Sequence, residues 1–151
     1  MSWRSGRSPA GIELAIPPRP EYLQLARAVV GAAAGTGPEG KPPPDPGRVA
    51  DLRLVVSEAV TNAMEAHAAV GAPEPILVRC RPEECRIVVE VVDRGPGFDP
   101  DAVPDLPPVT DDERLDHESG LGLSLMDRLA DGAVVESGPD GTLVRLTVDH
   151  S

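Results

Sequence analysis

The chain has 151 residues, of which 40% are hydrophobic and 26% charged, a balance typical of one soluble globular domain. Aromatic residues make up only 2%, so the core must be built from aliphatic side chains. The formal net charge of −11 disfavours direct binding to nucleic-acid phosphates or to anionic membranes. No stretch is apolar for long enough to cross a bilayer, and no signal peptide is recognisable at the start, which predicts a cytoplasmic location.

The first half of the chain predicts one strand and two helices. Residues 1–10 are polar and are expected to be disordered, and residues 11–16 then alternate like a β-strand. Apolar residues follow at helical spacing from Tyr22, and again from about Arg48 to Val70. The glycine- and proline-rich residues 35–47 between the two helices are predicted to form a loop.

The second half predicts two hairpins separated by a long connection. Residues 75–93 contain two apolar strands joined by a short turn, and residues 132–149 contain another such pair. Between them, residues 98–119 are rich in proline and carry eight acidic residues against one arginine. A loop of this length inside a domain is typical of a functional lid. A short helix opened by glycines follows at residues 120–131.

The resulting order, β-α-α-β-β-loop-α-β-β, predicts an α+β fold. We expect a single domain over residues 11–149, built as a two-layer sandwich. Its sheet should be mixed but mostly antiparallel, with three helices covering one face. Cys80 and Cys85 flank the turn of the first hairpin and are expected to be two reduced thiols rather than a disulfide or part of a metal site.

The segment SEAVTNAMEAH in the second helix carries polar residues beside an apolar stripe. Glu58, Asn62 and Glu65 are separated by four and three positions, which places them along one side of the helix. They form either an ordinary solvent-exposed edge or the wall of a cleft. In a cleft, a carboxylate can act as a general base and an amide oxygen can bind Mg²⁺. His67, which ends the segment, is expected on the helix surface rather than in catalysis.

The segment VVDRGPGF ends an apolar strand with an acid and two glycines. This is either a simple turn or a ligand site, in which Asp93 would accept a hydrogen bond from an amine. Gly95 and Gly97 would then let the backbone approach the ligand closely. The segment is not a dinucleotide-binding fingerprint, because Pro100 stands where the third glycine is required.

The segment ESGLGLSLMDRLAD places Gly120 and Gly122 at the start of a short helix. It is either a flexible entry to a packed helix or a phosphate site, since the free amides of a helix N-terminus favour anions. The sequence lacks the motifs of several other chemistries. It has no P-loop, no G-x-S-x-G segment and no histidine pair with zinc-ligand spacing.

In this order, the three segments resemble the N box and the two glycine boxes of the ATP-binding domain shared by gyrase, Hsp90, histidine kinases and MutL (the GHKL superfamily). The resemblance covers about residues 11–149 and implies the Bergerat-type fold. The opening IELAIPPRPEYLQLARAVV and the first and third segments are most similar to the free-standing anti-sigma factor serine kinases of the RsbW and SpoIIAB kind. A phosphoacceptor segment, as in histidine kinases, and a transducer domain, as in gyrase, Hsp90 and MutL, are not expected.

The resemblance implies a role for each matching residue. Glu58 would be the general base, and Asn62 would bind both ATP and Mg²⁺. Asp93 would accept a hydrogen bond from the adenine amine, with Thr142 supporting it. The remaining residues would shape the pocket or present amides to the phosphates: Gly95, Gly97, Gly120, Leu121, Gly122 and Leu123.

The sequence departs from the family pattern at two places. In much of this branch a histidine follows the asparagine by four residues. Here Ala66 occupies that position and His67 comes one residue later, rotated about 100° around the helix. The acidic residues of the lid would also repel a triphosphate unless they point outward or meet a basic partner.

The expected function is that of an ATP- and Mg²⁺-dependent protein-serine/threonine kinase acting as a bacterial anti-sigma factor. It would phosphorylate a STAS-type anti-anti-sigma protein and, in its other state, sequester a sigma factor. Two alternatives remain open: a nucleotide-gated module that holds a regulator without transferring phosphate, and a histidine-kinase-like ATPase subunit whose phosphoacceptor lies on another chain. A homodimer is also implied, and the first strand would offer a free edge for it.

Overall fold

The computed structural model describes residues 11–36, 44–95 and 128–149. Two α-helices and a five-stranded sheet lie within these ranges, in the predicted order. The elements are β1 (Ile12–Ile16), α1 (Leu23–Thr36), α2 (Pro46–Val70), β2 (Ile76–Pro82), β3 (Arg86–Asp93), β4 (Gly132–Gly138) and β5 (Gly141–Asp149). A single 3₁₀ turn, Pro20–Tyr22, leads into α1.

The strands lie in the order β1-β2-β3-β5-β4, and each neighbouring pair is antiparallel. The predicted mixed sheet is therefore not confirmed, because the described sheet contains no parallel pair. The carboxyl end of β3 and the start of β5 face each other, with Asp93 opposite Thr142. This register brings together two of the residues that the sequence singled out.

Local signals set the ends of α2. The Asp45 side chain accepts a hydrogen bond of 2.9 Å from the amide of Gly47, and proline occupies the first turn. Gly71 ends the helix in the left-handed conformation, with φ of 66°. The predicted loop over residues 35–47 is thus shorter than expected, since its first two residues belong to α1 and its last two to α2.

The core lies between the two helices and one face of the sheet. On β3, Ile87, Val89 and Val91 are buried and alternate with the residues of the opposite face. The buried hydrophobic side chains in the described part of the chain are all aliphatic or sulfur-containing, as the composition predicted. α2 is buried over a wide arc: Leu52, Val55, Val56, Ser57, Ala59, Val60, Ala63, Met64 and His67.

Several predictions fall outside the described residues. These are the amino-terminal residues 1–10, the lid at residues 98–119 and most of the third helix. Of the predicted third helix, only the last residues are described, and residues 128–129 among them are helical. The described chain therefore confirms two α-helices where three were expected. Neither of these two helices has the length and apolar character needed to cross a membrane.

The two cysteines are free thiols, as predicted. Cys80 is buried on β2, and burial raises the pKa of its thiol to about 11. Cys85 is exposed beside the turn before β3. Only Cys80 is therefore a strand residue, since Cys85 lies just before β3.

Candidate functional site

Asp93, the last residue of β3, is a buried carboxylate with fixed hydrogen bonds. Its side chain is only 6% exposed. Oδ1 accepts the amide hydrogen of Gly95 at 2.9 Å and that of Thr142 at 3.2 Å. One oxygen is thus held by a turn and by the adjacent strand. A carboxylate has a second oxygen with its own lone pairs, so Asp93 can still accept a hydrogen bond from a ligand.

The surroundings of Asp93 shift the pKa of its carboxyl group in opposite directions. Burial is the largest effect and raises the pKa of the carboxyl above its ordinary value. The amides of Gly95 and Thr142 act against this by favouring the ionised form. A buried acceptor at the end of a strand is an unfavourable arrangement for stability alone, and such groups are concentrated at functional sites.

Gly141 and Thr142 close this site from the side of β5. The Thr142 hydroxyl is 2.7 Å from the hydroxyl of Ser137 on β4, and Thr142 is 6% exposed. Gly141 has a φ of 139°, which side chains rarely adopt, and it lies against the backbone of Asp93. A glycine is therefore needed here for β5 to approach the end of β3.

Gly95 joins the same turn to α2. A Cβ atom at this position would lie 2.7 Å from the Cβ of Ala66 and 3.2 Å from the carbonyl carbon of Ala66. The turn after β3 therefore rests directly on the helix. The contact is possible because Gly95 has no side chain and that of Ala66 is small.

Glu58 and Asn62 lie on α2 and are both half-buried. With Ala66 they form a line at successive four-residue steps. At 1.5 Å per residue, Asn62 is about 6 Å and Glu58 about 12 Å along the helix axis from Ala66. Glu65, the third residue of the predicted polar stripe, is exposed. At 100° per residue, Glu65 lies about 20° around the helix from Glu58 and about 60° from Asn62, so it stays on the same side of α2.

His67 is buried, and the prediction that it lies on the helix surface is wrong. It is 1% exposed, and its Nε2 accepts the amide hydrogen of Arg94 at 2.8 Å. The apolar stripe of α2 is wider than the sequence pattern suggested, and His67 falls within it. The sequence did offer a signal for this burial, because the histidine stands one residue after the family position that Ala66 occupies.

The other predicted site residues lie outside the described ranges: Gly97, Gly120, Leu121, Gly122 and Leu123. Of the ten candidates, the structure places five. It connects Asp93, Gly95 and Thr142 by hydrogen bonds, and it places Glu58 and Asn62 on the helix that this turn contacts.

In the described ranges there is no group of three or more His, Cys, Asp or Glu side chains that could hold a metal ion. The sequence-predicted metal ligand Asn62 lies on α2, four residues before Ala66. A single neutral oxygen fits Mg²⁺, which keeps several waters and takes further ligands from substrate phosphates. Asn62 could therefore supply one ligand to a magnesium ion.

The sequence matches the histidine kinase-like ATPase domain over residues 16–148, and the chain belongs to this family. Among its relatives is the serine-protein kinase RsbW of Bacillus velezensis, which is 36% identical and aligns over 92% of this chain and 89% of the relative. RsbW of Bacillus subtilis is 33% identical, with the same coverage of both chains. The anti-sigma F factor of Caldanaerobacter subterraneus is 32% identical, over 90% of this chain and 91% of the relative.

Solved structures support the fold. The chain is similar to a crystal structure of the RsbU and RsbW domains of a Mycobacterium tuberculosis protein, with a TM-score of 0.64 and 20% identity. The match covers 93% of this chain and 32% of that one, so this chain spans about a third of the solved protein. The recognition of the superfamily from its three sequence segments is confirmed.

Proposed function

We propose that this protein is an ATP- and Mg²⁺-dependent protein-serine/threonine kinase that acts as a cytoplasmic anti-sigma factor. The observation that carries the proposal is the buried Asp93 carboxylate, held by the amides of Gly95 and Thr142 on a turn that rests on α2. The same helix carries the half-buried Glu58 and Asn62. The family and the named relatives support the same assignment.

The adenine would bind at the Asp93 end of the site. Its exocyclic amine would donate to the free oxygen of Asp93, and the Thr142 hydroxyl would support this contact. The close approach of Gly141 and Gly95 keeps backbone rather than side chains around Asp93. Ionised Asp93 accepts hydrogen bonds only, so it would favour adenine over a base that carries a carbonyl group there.

The triphosphate would extend from Asp93 along α2 towards Asn62 and Glu58. Asn62 would hold Mg²⁺, which when bound neutralises charge on the phosphates. Glu58 would take the proton from a serine or threonine hydroxyl as its oxygen attacks the γ-phosphorus. The bond from that phosphorus to the bridging oxygen breaks, and ADP leaves. The glycine-box residues 120–123 would present amides to the phosphates, and Gly97 would shape the pocket.

The substrate would be a STAS-type anti-anti-sigma protein, and the unphosphorylated partner and a sigma factor would compete for this protein. The net charge of −11 favours a partner that presents a basic surface. β1 lies at the edge of the described sheet, and we include a homodimer in the proposal. These partners rest on the similarity to RsbW and to the anti-sigma F factor.

The proposal is tested by phosphotransfer. The protein is incubated with Mg-ATP labelled at the γ-phosphate and with each STAS-domain protein from the same organism in turn. Transfer of label to a serine or threonine of one of them, identified by mass spectrometry, is the expected result. The Asp93→Asn variant should transfer little label because it binds ATP weakly.

A different outcome would select the binding-module alternative. In that case Mg-ATP binds and Asp93→Asn weakens the binding, yet no label reaches any STAS protein. Binding of ATP that is unaffected by Asp93→Asn would contradict the proposed adenine site itself.

A further inference from the structure

The buried imidazole of His67 has a role that stability does not explain. Its Nε2 accepts the Arg94 amide hydrogen at 2.8 Å, so the ring proton must be on Nδ1. Nδ1 is itself buried and makes no hydrogen bond within the described part of the chain. A buried N–H without an acceptor is destabilising. An apolar side chain would fill this space without that penalty, so the acceptor at Nε2 must matter.

The amide nitrogen of Arg94, which donates to His67, lies in the turn that follows β3 and includes Gly95. Arg94 stands between Asp93, whose Oδ1 is bound by the Gly95 amide, and Gly95, which rests on Ala66. The amides of the two successive residues are therefore fixed by two different acceptors, one on α2 and one on β3. Without the imidazole, the Arg94 amide would have to turn towards water, and this would displace both of its neighbours.

We propose that His67 is a positioning residue for nucleotide recognition, whose Nε2 fixes the Arg94 amide and thereby the orientation in which Asp93 meets the base. The inference rests on the proposed adenine-binding role of Asp93. It assigns to α2 a second task besides carrying Glu58 and Asn62, since the helix also orients the group that reads the base.

The test uses two variants of similar size. His67→Gln offers an oxygen that can accept the Arg94 amide, whereas His67→Met fills the same space without a strong acceptor. Dissociation constants are measured by calorimetry for Mg-ATP and Mg-ITP, whose base carries a carbonyl in place of the amine. The steady-state kcat and KM for ATP are measured alongside.

We expect His67→Gln to retain the affinity and the preference for ATP over ITP. His67→Met should bind ATP roughly tenfold more weakly, the effect of one lost hydrogen bond, and should lose most of the preference for ATP. Its KM should rise while kcat at saturating ATP is unchanged, because Glu58 is not moved. Wild-type affinity and preference in His67→Met, or an equal loss in His67→Gln, would overturn the inference.

Two further measurements separate the possible failures. Asp93→Asn tests the underlying role, because an unchanged preference for ATP in that variant contradicts the adenine site whatever His67 does. If His67→Met does not fold, ¹⁵N NMR of the wild-type protein decides the matter. The Nδ1–H tautomer with an Arg94 amide protected from exchange supports the inference, and an Nε2–H tautomer or an imidazolium ring overturns it.

Discussion

Gly141 packs so closely on the main chain of Asp93 that no side chain can stand at position 141. A Cβ atom there would overlap the Asp93 carbonyl oxygen and lie 3.0 Å from its carbon, and the φ of Gly141 is 139°. The contact fixes the start of β5 against the end of β3. The neighbouring amide of Thr142 can therefore reach the Asp93 carboxylate.

Gly141→Ala should both destabilise the protein and weaken ATP binding. Forcing a side chain into this backbone conformation costs about 1–3 kcal/mol, and the overlap with Asp93 adds to it. Denaturant unfolding gives the loss of free energy of unfolding, and calorimetry gives the ATP affinity. The matched control is Gly138→Ala, at a position that pairs with Gly141 across the same hairpin turn and where a Cβ would meet nothing within 4 Å. Equal effects of the two substitutions would contradict this account of Gly141.

Gly95→Ala should weaken ATP binding through its collision with Ala66. The cost expected for such overpacking is about 1–3 kcal/mol of unfolding free energy. Ala66→Gly alone should cost up to about 1 kcal/mol through helix propensity, but it removes the nearest clashing atom. In a double-mutant cycle, we expect Ala66→Gly to restore part of the stability that Gly95→Ala loses, with a coupling of about 0.5–2 kcal/mol.

The control for this cycle is Ala68→Gly, on the exposed side of the same helix. It has the same effect on helix propensity and should show no coupling to Gly95→Ala. A coupling of similar size at both positions would mean that the turn does not rest on Ala66.

Asp93→Asn should separate function from stability. An asparagine oxygen can still accept the amide hydrogens of Gly95 and Thr142, but the side chain no longer offers the charged acceptor that we propose for the adenine amine. We expect ATP affinity to fall by about ten- to hundredfold, the loss of one hydrogen bond to a charged group.

The same variant should be no less stable than the wild-type protein at neutral pH. Burial raises the pKa of Asp93 in the folded state, so the folded protein binds this proton more tightly than the unfolded chain. Ionising Asp93 therefore opposes folding as the pH rises through its raised pKa. The stability difference between Asp93→Asn and wild type, followed by thermal unfolding, should shrink as the pH falls below that pKa. A variant markedly less stable at neutral pH would contradict the net destabilising effect of burial.

Asp131 should contribute stability with the opposite pH dependence. Its Oδ2 accepts the Asp149 amide hydrogen at 2.6 Å and is 2.5 Å from Nη2 of Arg48. These two contacts connect α2, which carries Arg48, to β5, which ends at Asp149. The Asp149 amide and, beyond it, Arg48 lower the pKa of Asp131 in the folded state.

Because the folded-state pKa is lowered, the stabilising effect of Asp131 is complete above the ordinary aspartate pKa of about 3.9. It is lost as the pH falls through the lower folded-state value. Asp131→Asn should therefore lower the thermal midpoint at pH 7 and have progressively less effect in acid. The control is Asp140→Asn in the exposed hairpin turn, which should not change the midpoint at either pH. An effect of Asp131→Asn that is constant with pH would exclude an electrostatic origin.

The sequence was sufficient to predict the order of the described elements and to select several residues of the candidate site. Helical and alternating apolar spacing located α2 and β3 within a few residues, because these patterns follow directly from the 3.6-residue period of a helix and the two-residue period of a strand. Glu58, Asn62 and Asp93 could be found for the same reason, since each is polar at a position where the pattern is apolar.

The contacts across the fold could not be predicted in this way. The pairing of β3 with β5 brings Thr142 to Asp93, which is 49 residues earlier in the chain. A contact between residues so far apart in sequence cannot be predicted from local sequence patterns. The burial of His67 was missed because a histidine within an apolar arc also reads as the polar edge of a helix. Its acceptor role depends on a turn 27 residues later in the chain.

The most direct test of the central claim is the single-turnover rate of phosphotransfer to the proposed STAS-type substrate with Glu58→Gln. We expect the rate to fall by about 10²–10⁴-fold while ATP affinity stays within a factor of about three of the wild type. Glu65→Gln removes an equal charge from an exposed position on the same helix and should transfer phosphate at the wild-type rate. Full phosphotransfer by Glu58→Gln would contradict the assignment of Glu58 as the general base.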